Sequence, residues 1–290
     1  MSPADEFALQ LGFTSAWFEA GVVDEVRLSQ IKVFWEQDDD RNAEHYRYGA
    51  FCRFMQSQHP LSREIAAKLY ALGNCDPDSL MGGSMMAAIL RRPECPRELL
   101  AAAAASGRKH LVKIAREERR YQYVGPAELL RPERFESPRI LLTDRSNVEN
   151  WLSSLPKNAG NRTTVTFVVL TDGLWVADRQ SEHVACARGG EVYSAGDLTL
   201  AFQQRGLPIA VVEATNQSTG YCPEAESWFA VQRALSRAGI RNDLGEFTTK
   251  LIFRRCPKCA ATNVVKEEWF QCELCNAELP ANWNFDFTSQ

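Results

Sequence analysis

The stretch TVTFVVLTDGLWVAD, residues 164–178, sets two strand-like runs of β-branched and aromatic residues on either side of Asp172-Gly173. Asp-Gly between alternating apolar residues is a strong short-range hairpin signal, because tight loops need backbone that Gly and Asp adopt cheaply. The same pattern continues outward. HVACA (183–187) and EVYSA (191–195) flank Arg188-Gly189-Gly190, and DLTLAF (197–202) and LPIAVVEA (207–214) flank Gln204-Arg205-Gly206. Six short strands joined by tight turns predict an antiparallel meander, since parallel neighbours need long crossovers. Upstream, ILLTD (140–144) reads as a short strand and RSNVENWLSSLP (145–156) as a helix stopped by Pro156.

The meander runs into PEAESWFAVQRALSRAG, residues 223–239, where Trp228, Val231, Leu235 and Ala238 share one helical face. Pro223 suits a first helical position and Gly239 a C-terminal cap. A helix in this place is expected to plug the open end of a small barrel. Over residues 163–240 this order of strands and terminal helix resembles a PH-like domain; the resemblance implies recognition rather than catalysis.

Residues 1–124 carry apolar residues at helical spacing throughout. SREIAAKL at 62–69 echoes PRELLAAA at 96–103, an offset of 34 residues, and Pro60 and Pro93 precede the two segments. Both read as helix starts, and the offset suggests stacked helical pairs whose exposed surface serves to bind partners. The segment ILRRPECPRELLAAAAASGRKHLVKIA also resembles the helical repeats of bacterial leucine-rich-variant proteins. Residues 125–138, rich in proline and charge, read as a linker.

In RRCPKCAATNVVKEEWFQCELCNAEL, residues 254–279, Cys256 and Cys259 are separated by two residues, then twelve residues intervene before Cys272 and Cys275 repeat the pair. Each pair can form a knuckle pointing two thiolates at one ion. Four sulfurs close a tetrahedron and leave no position for a reacting water, so the metal is expected to be structural. The segment resembles a zinc ribbon, which implies Zn(2+); the same spacing also permits iron or two disulfides. About 35 residues bury too little apolar surface alone, and metal binding compensates. Where ribbons often place Gly after each knuckle, this chain has Ala260 and Asn276.

The expected architecture is therefore multidomain α plus β: a helical, repeat-like domain (1–124), a linker (125–138), an antiparallel barrel-like domain with a capping helix (139–245) and a ribbon (249–283). The net charge of −4 lacks the broad positive field that nonspecific nucleic-acid binding uses. It conceals a polarity: residues 1–60 hold ten acidic and five basic side chains, residues 91–120 nine basic and four acidic. With no apolar run of membrane-spanning length, no basic or apolar leader and nine cysteines, the expectation is a cytoplasmic protein whose thiols are free or bind metal.

One loop raises the question of catalysis. In EATNQSTGYCPEAESWFAV, residues 213–231, Cys222 precedes the inferred helix start, where a helix dipole favours thiolate. His183 could serve as base and Glu213 as orienter, although Glu224 and Glu226 would oppose a thiolate there. No nucleophile elbow accompanies them. His45, His59 and His110 lack partners at ligand spacing, WEQDDDR (35–41) lacks further ligands, and LMGGSMMAAIL (80–90) lacks the Lys-Ser/Thr of a phosphate loop. Cys52, Cys75, Cys95 and Cys186 read as small apolar residues. The expected function is a non-catalytic adaptor or regulatory protein that binds another protein. The alternatives are a cysteine-dependent hydrolase using Cys222, and a nucleic-acid reader using the ribbon with Arg254, Arg255 and Lys258.

Overall fold

The computed structural model describes residues 62–76, 79–92, 94–136, 138–154, 162–201 and 210–285. The chain divides into two compact units, residues 1–118 and 119–290. The helical reading of residues 1–61, including Cys52, His45, His59 and WEQDDDR, lies outside the described residues.

In the first unit four helices follow one another: α1 (Arg63–Cys75), α2 (Ser79–Leu90), α3 (Arg97–Ala105) and α4 (Lys109–Glu117). Both echoed segments open helices, as their spacing predicts. The first is capped by Ser62, whose hydroxyl accepts the Ile65 N–H at 3.2 Å; the second has Pro96 at its cap, with no side-chain acceptor. An Arg63–Glu98 ion pair joins the two starts. Helix α1 packs on α2, α3 on α4, and α2 on α4, around Leu69, Met85, Met86, Ile89, Leu90 and Leu111. Within LMGGSMMAAIL, Gly82, Gly83, Met85, Met86, Ala87, Ile89 and Leu90 are buried in this packing, and a Cβ on Gly82 would stand 2.0 Å from the Gly73 carbonyl oxygen, so the glycine lets α1 and α2 approach.

The second unit holds a six-stranded sheet in the order β1-β3-β2-β4-β5-β6. The strands are β1 (Arg139–Leu142), β2 (Arg162–Leu170), β3 (Gly173–Asp178), β4 (Ser194–Ala201), β5 (Ala210–Thr215) and β6 (Arg241–Asn242). Between them lie α5 (Arg145–Ser154), α6 (His183–Cys186) and α7 (Trp228–Arg237). The 164–178 hairpin forms as expected, with Leu170 opposite Gly173 and Phe167 opposite Val176.

The meander does not. Strand β4 lies against β2 rather than β3, pairing Thr166 with Asp197, and β2 becomes central. The reason is in its composition: Val165, Phe167 and Val169 enter one core while Val168 enters another on the opposite face. A strand apolar on both faces is stable only when both are covered. Helix α7 covers the first face with Trp228, Val231, Leu235 and Ala238. It joins β5 to β6, which pair in parallel, so it is a crossover helix on an open sheet rather than the plug of a barrel. Its cap is as expected: Gly239, at φ 65°, follows Ala238, and the Ile240 N–H donates to the Leu235 carbonyl at 3.0 Å.

HVACA is the helix α6, not a strand. The Cys186 and Ala187 N–H groups donate to the Glu182 and His183 carbonyls at 3.0 and 2.8 Å, closing a helical turn whose Val184, Ala185, Cys186 and Ala187 are all buried. Arg188 and Gly189, at φ 50° and 73°, end the helix instead of closing a hairpin, with the Gly189 N–H donating to the Val184 carbonyl at 2.9 Å. Nor is 125–138 a linker. Two 3-10 turns, Ala127–Leu130 and Pro132–Glu136, set Leu129 and Phe135 into the core around α6, while Tyr121 pairs with Val192. These residues cover the second face of β2. A two-stranded sheet follows, β7 (Ile252–Arg255) against β8 (Thr262–Val265).

Candidate metal centre and its junction with the sheet

Strands β7 and β8 place the two cysteine knuckles at one end, with Arg255 opposite Thr262. The knuckles are built alike. In the first, the Ala260 N–H donates to the Cys256 carbonyl at 2.9 Å and the Cys256 N–H to the Ala261 carbonyl at 2.8 Å. In the second, Asn276, Cys272 and Ala277 make the same two bonds at 2.9 and 2.8 Å. The four ligand atoms of Cys256, Cys259, Cys272 and Cys275 lie within 4.8 Å of one another, and Sγ–Sγ separations across the knuckles are 3.5 Å. A tetrahedral ion with metal–sulfur bonds of about 2.3 Å requires edges of about 3.8 Å, so the four thiols are placed to hold one metal ion.

The backbone helps ionise them. The N–H groups of Lys258 and Cys259 point at the Cys256 sulfur at 3.4 and 3.5 Å. Burial opposes ionisation of Cys272, but the N–H groups of Leu274 and Cys275, together with the neighbouring Cys259 and Cys256 thiols, outweigh it and bring that thiol down to about 6, while Cys259, against the Ala261 N–H, is pushed up to about 12 by burial and by the three thiols around it. These donors suit thiolate, the form a metal binds.

Both knuckles need left-handed backbone at the following residue: φ is 58° at Ala260 and 55° at Asn276. Asn tolerates this conformation, whereas Ala carries a penalty of about 1 kcal/mol. Ala260→Gly is accordingly expected to stabilise the metal-loaded ribbon by about 1 kcal/mol. Competition with a metal indicator would show this as tighter retention of the ion, and unchanged retention would contradict it.

The ribbon is fastened to the six-stranded sheet through the loop that contains Cys222. Asn216 is fully buried and its amide makes three bonds: to the carbonyls of Pro223 and Leu251 as donor, and from the Leu251 N–H as acceptor, each at 2.8 Å. The Trp283 indole donates to the Cys222 carbonyl at 2.7 Å, and Cys222 packs with Phe253 and Phe285. Arg119 and Arg254 lie 2.7 and 3.8 Å from the Glu224 carboxylate. Asn284 clasps the Arg255 backbone, accepting its N–H at 2.9 Å and donating to its carbonyl at 2.7 Å. Gly196 on β4 makes room for this loop: a Cβ there would stand 1.9 Å from the Thr215 carbonyl oxygen.

Cys222 is not a helix cap. It lies at φ 48°, and the 3-10 turn Ala225–Ser227 separates it from α7. Its thiol is fully buried, donates to the Thr219 carbonyl at 3.2 Å, and is pushed up to about 12 by burial, which the charge of Arg255 only partly offsets. His183, placed by α6 beneath the other face, has its Nε2 2.9 Å from the Gly196 carbonyl. Burial pushes its pKa down against that bond and the nearby carboxylates of Asp197 and Glu182. Glu213 accepts from the Thr199 hydroxyl at 3.0 Å. The three residues of the conceivable catalytic set thus each bond elsewhere.

Two measurements test this thiol. Its thiolate fraction near neutral pH lies on the order of 1000-fold below that of an ordinary cysteine, so iodoacetamide is expected to label exposed Cys75 well before Cys222. The unfolded thiol ionises near 9.0 and the folded one near 12, so its burial stabilises the fold fully below pH 9. That contribution falls away as pH rises through this window, and Cys186, also pushed up to about 12 by burial, adds to it. Urea midpoints are expected to drop between about pH 9 and 12.

Of the basic residues beside the first knuckle, Arg254 is buried. It donates to the carbonyls of Phe253, Pro280 and Ala281 at 2.6 to 3.2 Å. Arg255 lies with its guanidinium 5.4 Å from the Phe285 ring centre, while Lys258 is exposed. Sequence reasoning missed Asn216, Trp283 and Glu224 as organisers, because their partners are up to 105 residues away and leave no local pattern. Among the described residues no helix is long and apolar enough to cross a membrane. Comparison with protein-family models, with curated proteins and with solved structures returned no match, so the geometry alone carries the functional reading.

Proposed function

We propose that this chain is a non-enzymatic adaptor or regulatory protein whose C-terminal ribbon is held by one structural Zn(2+) and which acts by binding other proteins. The observation that carries this reading is the closed set of four thiols, Cys256, Cys259, Cys272 and Cys275, within 4.8 Å of one another. Four sulfur ligands satisfy a tetrahedral ion and leave no position for substrate, and zinc prefers this donor set. The engagement of Cys222, His183 and Glu213 in separate bonds favours binding over thiol catalysis. The donors of Arg254, spent on carbonyls, weigh against a phosphate-reading ribbon.

In this reading the helical N-terminal region presents a repeat-like surface to a partner. The reducing cytoplasm is the compartment that suits free thiols and thiolate-bound metal. Metal analysis of the purified full chain is expected to find about one zinc per chain with no visible iron absorption. A chain lacking bound metal, or carrying two disulfides among these cysteines, would overturn the reading.

A further inference from the structure

The ribbon exposes two large apolar side chains that its own core does not use: Trp269, 66% exposed, and Leu274, 78% exposed. Trp269 closes the turn that follows β8, and Leu274 lies in the second knuckle. Lys266 ties these elements together, since its backbone bridges to Trp269 and its ammonium lies 3.3 Å from the Glu273 carboxylate, next to Leu274. The turn between Lys266 and Trp269 is made by Glu267 and Glu268, at φ 51° and 58°. Hairpins of this kind favour Asn-Gly, and two glutamates here hold strained backbone while projecting two carboxylates beside an exposed indole.

The charge of the segment that carries the patch is one-sided, although Lys258 is exposed on the first knuckle. Residues 266–279 contain one cation, Lys266, and four carboxylates, Glu267, Glu268, Glu273 and Glu278, all exposed. Four thiolates around a divalent ion add further negative charge. Such a surface repels phosphate backbones and attracts basic side chains, and an exposed indole is a favourable face for a guanidinium or ammonium group.

We infer that the Trp269–Leu274 face of the ribbon docks a basic segment of a partner protein, one that sets Arg or Lys against Trp269 and the carboxylates and an apolar side chain against Leu274. The inference rests on the reading of the ribbon as a metal-held binding module and adds the surface and the chemistry of its partner. It places a contact on the ribbon itself, in addition to any made by the helical region.

The experiment is selection of a phage-displayed library of random dodecapeptides on the metal-loaded full chain, followed by anisotropy titration of the labelled winners. Peptides rich in Arg or Lys with a Leu or aromatic anchor are expected. Their affinity should fall at least about tenfold in the Trp269→Ala/Leu274→Ala double variant. In Glu267→Gln/Glu268→Gln it should fall several-fold and lose part of its salt dependence. Metal content is measured on every sample, and the exposure of all four side chains makes them replaceable without loss of the fold. Bound metal with no selected peptide, with acidic winners, or with binding indifferent to these variants would overturn the docking surface and leave the metal-held ribbon standing. Absence of bound metal from the wild-type chain would overturn both.

Discussion

Replacement of Cys259 or Cys272 by serine is expected to release the metal and unfold the ribbon from about residue 249 onward. Beside the ion, little joins the two knuckles: the Asn263 amide, which donates to the Ala261 carbonyl at 2.9 Å and accepts the Glu273 N–H at 3.0 Å, the β7–β8 pair of four residues each, and a core of Cys256, Val265, Cys272 and Leu279. A core of this size cannot offset the chain entropy of some 35 residues, and metal binding worth on the order of 10 kcal/mol does so. The variant should therefore contain no bound metal and lose amide-exchange protection at Phe253 and Val265. Protease should cut within 256–279, where the loaded wild type resists. The loss spreads to the sheet, because Phe253 and Phe285 cover Cys222. A chelator should reproduce the effect in the wild type. Retained protection in the metal-free chain would show that the ribbon folds without the ion.

The second large effect is expected at Asn216. Truncation to alanine removes three 2.8 Å bonds at a fully buried site and orphans the Leu251 N–H and the carbonyls of Leu251 and Pro223. Each buried polar group left without a partner costs about 1–3 kcal/mol, so a loss on the order of 4 kcal/mol follows. Asn216→Asp is expected to be nearly as damaging, since a carboxylate cannot donate to the two carbonyls and its charge is buried. Chemical denaturation of the loaded chain measures both, with metal content as the control. A stable Asn216→Ala variant that keeps its metal would mean the ribbon is fastened chiefly by Trp283 and the aromatic residues around Cys222.

The parts legible beforehand share one property, that their cause is local. The Asp172-Gly173 hairpin, the amphipathic face of α7, its Gly239 cap and the helix starts at Arg63 and Arg97 each depend on residues within a few positions. The metal centre was legible for a related reason. Two C-x2-C knuckles make their own turns, and the twelve residues between them suffice for β8 and the turn closed by Lys266 and Trp269. Even the left-handed backbone after each knuckle follows from the turn, whichever residue occupies it.

The misread parts depended on what lay across the sheet. HVACA carries no period long enough to separate a helical turn from a strand, and the choice was made by the buried space beside Phe135 and Leu129. The meander failed because TVTFVVL is apolar on both faces, a sign of a central strand covered twice; the covering residues 119–136 come from a proline-rich stretch without apolar periodicity. Pro223 makes Cys222 read locally as a helix start, whereas its neighbours in space, Trp283 and Phe285, lie some 60 residues on.

By itself, then, the sequence determined the local elements and the ligand set, because hairpins, caps and cysteine knuckles are closed by bonds between near neighbours. Only the tertiary structure decided which strand is central, where residues 119–136 pack and how the ribbon is joined to the sheet. Those choices depend on burial and on hydrogen bonds such as those of Asn216, whose partners are separated by up to 35 residues and meet only when the chain is folded.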